Sequence, residues 1–455
     1  MAKIGFCAVG GSGMSALAQV LKYKKNDIYG SDRSFDQNRE QKNKQALEKI
    51  GIKIYPQDGS MLDKDFVALY ASTAVEDTVP DIKRAKELGI PVKHRSDLLS
   101  EIFASYKYNI AIGGTSGKST ITAMIGYILD KSEKKPLVIN GALLKNYENQ
   151  PGIPNVILND GEYCVIEADE SDGSIEKYTP YISVVNNITL DHKPIEELQK
   201  LFSDFILKAK GGAIVNKDCP NSKPLLHLHP TTTTFGIKNN KADFFAEDIT
   251  AIPTGTRYTF RNKQYTLKLI GAFNVANAMC AVACCSLLGI EPDKACSILE
   301  GFLGTKRRLE VLGQTNNITV IDDFAHNPDK VAGSMSALKS YKGRVITMFQ
   351  PHGFTPMRLM GKEIMDAFIE HMSPQDILLL PEIFFAGGTV KRDISSKDLV
   401  NYAKRHNIDA RYFETREELT NHILEIAQPQ DRIVLMGARD NSITDMGYNI
   451  LEKLK

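Results

Sequence analysis

The sequence predicts an α/β protein of three domains with mostly parallel sheets. Short β-type runs alternate with longer helical stretches almost throughout, two of these runs end in glycine-rich turns, and 455 residues exceed what one ordinary core organises. Taken in order, Lys3 to Val9 predicts a strand, Gly10-Gly11-Ser12-Gly13 a turn, and Met14 to about Tyr23 a helix. A second strand ends at Asp32, and another near Ala71 runs into Ser72-Thr73-Ala74. This Rossmann-like domain is expected to span residues 1–105, because a fresh strand–turn–helix pattern opens at Tyr106-Lys107-Tyr108. Residues 106–304 form a central domain of the phosphate-loop type. It has strands at 163–167 and 182–186, a β-rich excursion around 243–270 and a helix at about 274–288. From residue 305 to 455, strands at 319–321, 345–348, 377–380 and 433–436 alternate with helices, predicting a second Rossmann-like domain.

Composition narrows the classes. A formal net charge of +1, without a basic block, argues against a nucleic-acid partner. No apolar run approaches the ~20 residues that span a bilayer. Met1-Ala-Lys-Ile-Gly-Phe enters a strand directly, without a signal-peptide pattern, so a cytoplasmic protein is expected. The 7 cysteines are scattered. Cys280 and Cys284 share a helix face, yet no further Cys or His stands at ligand spacing, and the expected reading is buried small side chains. Nothing in the pattern chooses between a monomer and a homodimer.

The most informative run is Ile110-Ala-Ile-Gly-Gly-Thr-Ser-Gly-Lys-Ser-Thr120. Backbone N–H groups of Gly114, Thr115, Ser116, Gly117 and the following helix start, through Thr120, converge on an anion. Lys118 reaches outer phosphates, and the Ser119 hydroxyl suits Mg²⁺. Ile112 stands where the longer consensus has its first glycine, so the loop is shortened. A nucleoside triphosphate is the expected ligand. Downstream, Glu167-Ala-Asp-Glu-Ser-Asp172 packs four acids onto a strand end; Mg²⁺ between them would relieve their repulsion, and a solvated acidic turn is the alternative. Asn187-Ile-Thr-Leu-Asp191-His192 closes another strand, with an imidazole that Asp191 orients.

Weaker signs surround these. Gly10, Gly11, Ser12 and Gly13 before Met14, with Asp32 at the end of strand two, follow the plan of a Rossmann nucleotide site, although Ala16 fills the third glycine slot. Asn274 and Asn277, one helical turn apart, suit a purine edge, and helix capping is an equal reading for Asn274. Arg307 and Arg308 suit a phosphate or a solvated hinge. Asp322-Asp323-Phe-Ala-His326 suits ribose and phosphate contact.

Order and spacing together resemble the Mur ligases, the ATP-dependent amide-bond-forming enzymes of peptidoglycan precursor synthesis, over essentially the whole chain. The matching motifs are Gly114-Thr-Ser-Gly-Lys-Ser119, Glu167 to Asp172 with His192, Gly271-Ala-Phe-Asn-Val-Ala-Asn277, Lys306-Arg-Arg308 and Asp322 to His326. Val9 to Ser15, Ser72-Thr-Ala-Val75 and Phe349-Gln-Pro-His352 look most like the members that join L-alanine to UDP-N-acetylmuramate. Arg307 to Glu310 and Asp322 to His326 look nearer to those that recycle murein tripeptide. The chain also departs from the pattern. Ser116 replaces a usual His, the segment after His192 is short, and Gly353 and Pro356 fill the slots of two carboxylate-holding arginines.

The resemblance implies ATP and Mg²⁺ as cofactors, with a UDP-N-acetylmuramate-type substrate and an amino acid or peptide amine as partners. It implies catalytic roles for Lys118, Glu167, His192 and His352, and a metal held by Ser119, Glu167 and His192. The UDP-sugar falls to Gly10, Gly11, Ser12, Gly13, Met14, Asp32, Ser72 and Thr73. Besides the loop, ATP falls to Asn274, Asn277, Arg307, Arg308, Asp323 and His326. Phe202 stands near the place of the carbamylated lysine found in many members, so none is expected here. The rivals are an NAD-dependent dehydrogenase, which leaves residues 113–120 idle, and a catalytically weak nucleotide-binding descendant.

Overall fold

The computed structural model describes residues 2–72, 75–171, 173–189, 193–252, 255–385, 391–438, 440 and 442–455; Thr73 and His192 lie outside the described residues. The chain is α/β, as its alternation predicts. A five-stranded parallel sheet runs in the order Lys53–Tyr55, Asp27–Ser31, Lys3–Cys7, Phe66–Ala71, Val92–His94. An eight-stranded sheet follows in the order Phe244–Phe245, Thr232–Gly236, Gly212–Asn216, Ile182–Val185, Tyr108–Gly113, Tyr163–Glu167, Leu137–Ile139, Val156–Ile157; the last strand is antiparallel. The β-rich excursion is a three-stranded sheet of Glu247–Ile252, Gly255–Phe260 and Lys263–Leu267. A six-stranded sheet runs Glu310–Thr315, Ile318–Asp323, Arg432–Met436, Val345–Phe349, Ile377–Pro381, Asp409–Phe413, antiparallel only at its first pair.

Two compact units divide the chain: Met1–Glu247 with Thr259–Tyr265 and Ala276–Thr305, and Asp248–Tyr258 with Thr266–Val275 and Lys306–Lys455. In the first, Ile110, Ala111 and Ile112 have no exposed surface, as a central parallel strand covered on both faces requires. Helix Lys118–Lys131 presents Ile121, Met124, Ile125 and Ile128 to that sheet's core. In the second, Ile321, Val434, Phe349 and Leu380 build one side of a core that helix Phe354–His371 covers with Met357, Ile364, Met365 and Phe368.

All seven cysteines are free and buried, and burial pushes the Cys280 and Cys285 thiols upward, as small core side chains behave. Among the described residues, no helix is long and apolar enough to cross a membrane.

Candidate functional site

The glycine-rich loop leaves strand Tyr108–Gly113 at its carboxyl end, between the neighbours Ile182–Val185 and Tyr163–Glu167. Gly114 and Gly117 turn at φ 120° and 85°, conformations that side chains disfavour. Asn187 brackets the loop: its Oδ1 accepts from Thr115 Oγ1 at 2.9 Å and from Ser116 N at 2.8 Å. Asn186 Nδ2 donates to Ser116 O at 2.9 Å and to Asn277 Oδ1 at 3.3 Å. Asn277 therefore buttresses the loop, and a Cβ on Gly117 would stand 2.9 Å from its Oδ1. Phe202 is wholly buried with its ring beneath Gly113, where a Cβ would meet it at 3.0 Å.

Lys118 opens helix Lys118–Lys131 and spends three donors at once: Nζ donates to Gly114 O at 2.7 Å and to Glu170 Oε1 and Oε2 at 2.9 and 2.7 Å. The Glu170 side chain is only 4% exposed. Ser119 Oγ donates to Glu167 Oε2 at 2.9 Å, and the N–H of Gly141 donates to Glu167 Oε1. A Cβ at position 141 would press on that carboxylate from 2.9 Å. Asp169 is desolvated, yet bonds from the Ser171 N–H and hydroxyl and the fields of Lys118 and Arg95 hold its carboxyl below the usual range. The acidic turn is thus sorted into separate tasks: Glu167 toward Ser119, Glu170 toward Lys118, Asp169 back onto its own turn. Thr120 is buried in the first turn of the helix.

The N-terminal turn closes on Asp32, whose Oδ2 accepts from Gly10 N and Oδ1 from Ser34 N, both at 2.8 Å. Gly11 caps helix Ser12–Tyr23, and Asn155 Nδ2 donates to Ser12 O at 2.7 Å. Met14 is 2% exposed and belongs to the core. Ser72 lies half-buried after strand Phe66–Ala71. Arg95, which the sequence reading passed over, lays its side chain against Gly13.

Helix Ala272–Leu287, whose first turn falls in the other unit, begins two residues before the expected Asn274, and Asn274 Nδ2 donates back to Ile270 O at 2.8 Å instead of capping. Arg307 adopts φ 58° and is 8% exposed; its Nη2 donates to Gly437 O at 2.6 Å, and its Nε faces Asp322 at 3.4 Å. Arg308 is less buried, with its guanidinium 4.7 Å above the Phe324 ring. Asp323 Oδ1 accepts from Leu309 N at 3.2 Å and Oδ2 from the Ser334 hydroxyl, while burial raises its carboxyl. The His326 and His352 rings meet edge-on with centroids 5.6 Å apart, and burial lowers the His326 imidazole to about 4. Gly353, at φ 71°, precedes helix Phe354–His371, with Pro356 in its first turn.

Family models described as "Mur ligase family, catalytic domain", "Mur ligase middle domain" and "Mur ligase, glutamate ligase domain" match residues 3–107, 112–285 and 307–439. A UDP-N-acetylmuramate–L-alanine ligase of Sulfurihydrogenibium sp. is 34% identical across 99% of this chain and 98% of its own length. The chain belongs to the Mur ligase family. A second relative of the same name, from Caldanaerobacter subterraneus, is 32% identical across 100% of the chain and 98% of its own length. The crystal structure of the UDP-N-acetylmuramate–alanine ligase of Thermotoga maritima superposes with a TM-score of 0.82 at 25% identity, covering 100% of this chain and 99% of that one. A murein peptide ligase of Psychrobacter arcticus shares the fold at TM-score 0.69 and 21% identity, covering 100% and 99%.

For a Mur ligase, the oxygen donors suit a hard divalent cation: a serine hydroxyl and a carboxylate already meet beside the phosphate loop, with a glycine leaving room at Glu167. Among the described residues, no three His, Cys, Asp or Glu side chains gather into a metal-holding group, and His192 is outside that set. Sequence reasoning missed Glu170 as the partner of Lys118, Asn186 as the loop clamp, and Arg95. An acidic residue in a four-acid turn and an amide at a strand end carry no local signal of what they will face.

Proposed function

We propose that this Mur ligase uses ATP to join L-alanine to UDP-N-acetylmuramate in peptidoglycan precursor synthesis, in the cytoplasm, releasing ADP and phosphate. The observation that carries the reading is the pairing of Lys118 and Ser119 with Glu170 and Glu167 on adjoining strand ends, in a chain matched along its full length by alanine-adding relatives. The substrate carboxylate attacks the γ-phosphoryl group, giving an acyl phosphate and ADP. The amine then attacks the acyl carbon, and phosphate leaves.

Such chemistry asks the protein for position and charge rather than for a covalent group. The loop N–H groups, fixed by Asn186 and Asn187, orient the triphosphate, and Lys118 neutralises charge on the moving phosphoryl group. Ser119 and Glu167, with His192, would hold Mg²⁺, which when bound supplies positive charge to the phosphate oxygens. Gly10 to Gly13, Asp32 and Ser72 are assigned to the sugar nucleotide. Asn274, Arg308, Asp323 and His326 are assigned to ATP, and His352 to the amine.

Gly353 and Pro356 favour a second reading within the family. Neither offers a guanidinium to a small amino acid's carboxylate, so a murein tripeptide, held along its length, is the alternative acceptor. Phosphate release with ATP and UDP-N-acetylmuramate, compared across L-alanine, glycine, L-serine and tripeptide, tests both. Turnover with L-alanine at least tenfold above the others is expected. Preference for tripeptide transfers the assignment to the recycling branch, and release with no acceptor overturns the ligase reading.

A further inference from the structure

We propose that Asn155 is a positioning residue for the ligase reaction: it fixes the first turn of helix Ser12–Tyr23 against Ser119, and so sets the sugar nucleotide in register with the phosphate loop. The inference rests on the reading above, which puts the two substrates at these two places.

Helix Ser12–Tyr23 serves two sheets at once. Its Leu17 and Val20 share one apolar core with Ile139, Ile153 and Ile166, so burial alone holds the five-stranded and eight-stranded sheets together. Inside that core lie Ser15, Gln19 and Asn155, each at most 1% exposed. Desolvating three polar side chains lowers stability unless their donors are matched, and apolar side chains would hold the sheets as firmly. Here they are matched. Ile153 N donates to Gln19 Oε1 at 2.9 Å, and Gln19 Nε2 donates to Ile153 O at 3.2 Å and to Asn155 Oδ1 at 2.9 Å. Asn155 Nδ2 then donates to Ser12 O at 2.7 Å and to Ser15 Oγ at 3.1 Å. Backbone groups dictate how both amides lie, because the Ile153 N–H needs an oxygen and the Ser12 carbonyl needs a donor. Directional bonds of this kind admit one register, where apolar packing tolerates neighbouring ones.

What lies at the two ends gives that register a purpose. At one end is Ser12 O, in the turn assigned to the sugar nucleotide. At the other, Asn155 O accepts from Asn140 N at 2.9 Å, and Asn140 Nδ2 donates to Ser119 O at 3.0 Å. The next residue, Gly141, donates its N–H to Glu167. A short line of hydrogen bonds through Asn155 and Asn140 therefore joins the N-terminal turn to the helix start that carries Lys118 and Ser119. Other polar ties between the same parts, such as Tyr23 to Asp160 at 2.9 Å and Lys177 to Asp97 at 2.6 Å, are exposed to water, where such bonds are worth little. Transfer of a phosphoryl group to a carboxylate needs the reacting atoms at near-attack distance, and a misplacement of about 1 Å costs about 100-fold.

The test is steady-state kinetics of the full-length protein, with calorimetric binding of ATP and of UDP-N-acetylmuramate and an unfolding curve on the same samples. In Asn155→Ala, kcat for phosphate release should fall about 10- to 100-fold, while both dissociation constants change less than about threefold and the ATP stoichiometry holds. Asn155→Ser keeps a hydroxyl and makes room for a water, so it covers the case in which the alanine variant does not fold; its kcat should fall at least about tenfold. Val20→Ala is the stability control. It thins the same core without touching the network, so its melting temperature should fall while kcat stays within about threefold. Losses of kcat that follow melting temperature across the three variants would show a structural role only and overturn the inference. A raised UDP-N-acetylmuramate dissociation constant at unchanged kcat would overturn it too, and both results leave the ligase reading standing. Wild-type protein that releases no phosphate with any amine overturns the ligase reading, and the inference with it.

Discussion

Replacing Glu170 with glutamine is expected to tighten ATP binding while loosening the ligand-free fold. An ammonium has three protons, and those of Lys118 are spent on Gly114 O and on both oxygens of Glu170. A phosphoryl group can engage Lys118 only if Glu170 yields at least one of them. With Glu170 at 4% and Lys118 at 17% side-chain exposure, little water screens the exchange. One charge-assisted hydrogen bond in such a place is worth about 1.5–3 kcal/mol. Glutamine keeps the shape and one acceptor but removes the charge, so about half of that competition should vanish. The ATP dissociation constant should then fall about 4- to 12-fold, which is about 0.8–1.5 kcal/mol. The same change should cost the free protein stability, at most the ~3–5 kcal/mol of a broken buried pair and less here, because one bond survives. Calorimetry gives the first number and urea denaturation the second; the ATP-induced rise in melting temperature should be larger in Glu170→Gln than in the wild type. A folded variant that binds ATP equally or more weakly would refute the reasoning, since Glu170 would then be supporting Lys118 in the bound state rather than competing for it.

Lys118→Ala strands a buried carboxylate, so its inactivity alone could reflect misfolding; the Lys118→Ala, Glu170→Ala double variant should regain much of the stability and still form no ADP, measured by coupled assay with an unfolding curve alongside. Glu167→Ala should shift the Mg²⁺ dependence of phosphate release to at least tenfold higher concentration, and an unchanged Mg²⁺ titration would remove it from the metal site. His326 is buried with its imidazole lowered to about 4 from 6.5, so the unfolded chain takes up that proton first as pH falls. Its stabilising contribution is therefore complete above about pH 6.5 and is lost toward pH 4, at most about 3 kcal/mol. Urea denaturation of His326→Asn across this range should show a flatter pH dependence than the wild type, and parallel curves would count against the neutral, buried imidazole.

Strands and helices were legible because apolar runs and their breaks are local properties. The run 163–167 and the opening of strand 345–349 fall where the pattern puts them. Asn274 shows where locality ends: Gly271, at φ 96°, ends the preceding turn early, the helix starts at Ala272, and the amide turns back to Ile270 rather than capping. Pairings across the sheet were not legible. Lys118 and Glu170 are brought together because parallel strands 108–113 and 163–167 end side by side, and nothing in the acidic turn tells Glu170 from its neighbours beforehand.

The glycines carry the deeper lesson. Read along the chain, Gly10, Gly13 and Gly117 are a phosphate signature whose purpose is to let backbone approach a ligand. In the structure each also meets a side chain from elsewhere: Asp32 at Gly10, Arg95 at Gly13, Asn186 and Asn277 at Gly117. A motif search registers the missing Cβ but not the residue that occupies its space. That residue is the informative half, because it shows whether the bare Cα serves a ligand or a contact within the fold. Asp32 uses its carboxylate to complete the turn at Gly10, so it is spent on structure, and the amides of Asn186 and Asn277 hold the phosphate loop at Gly117.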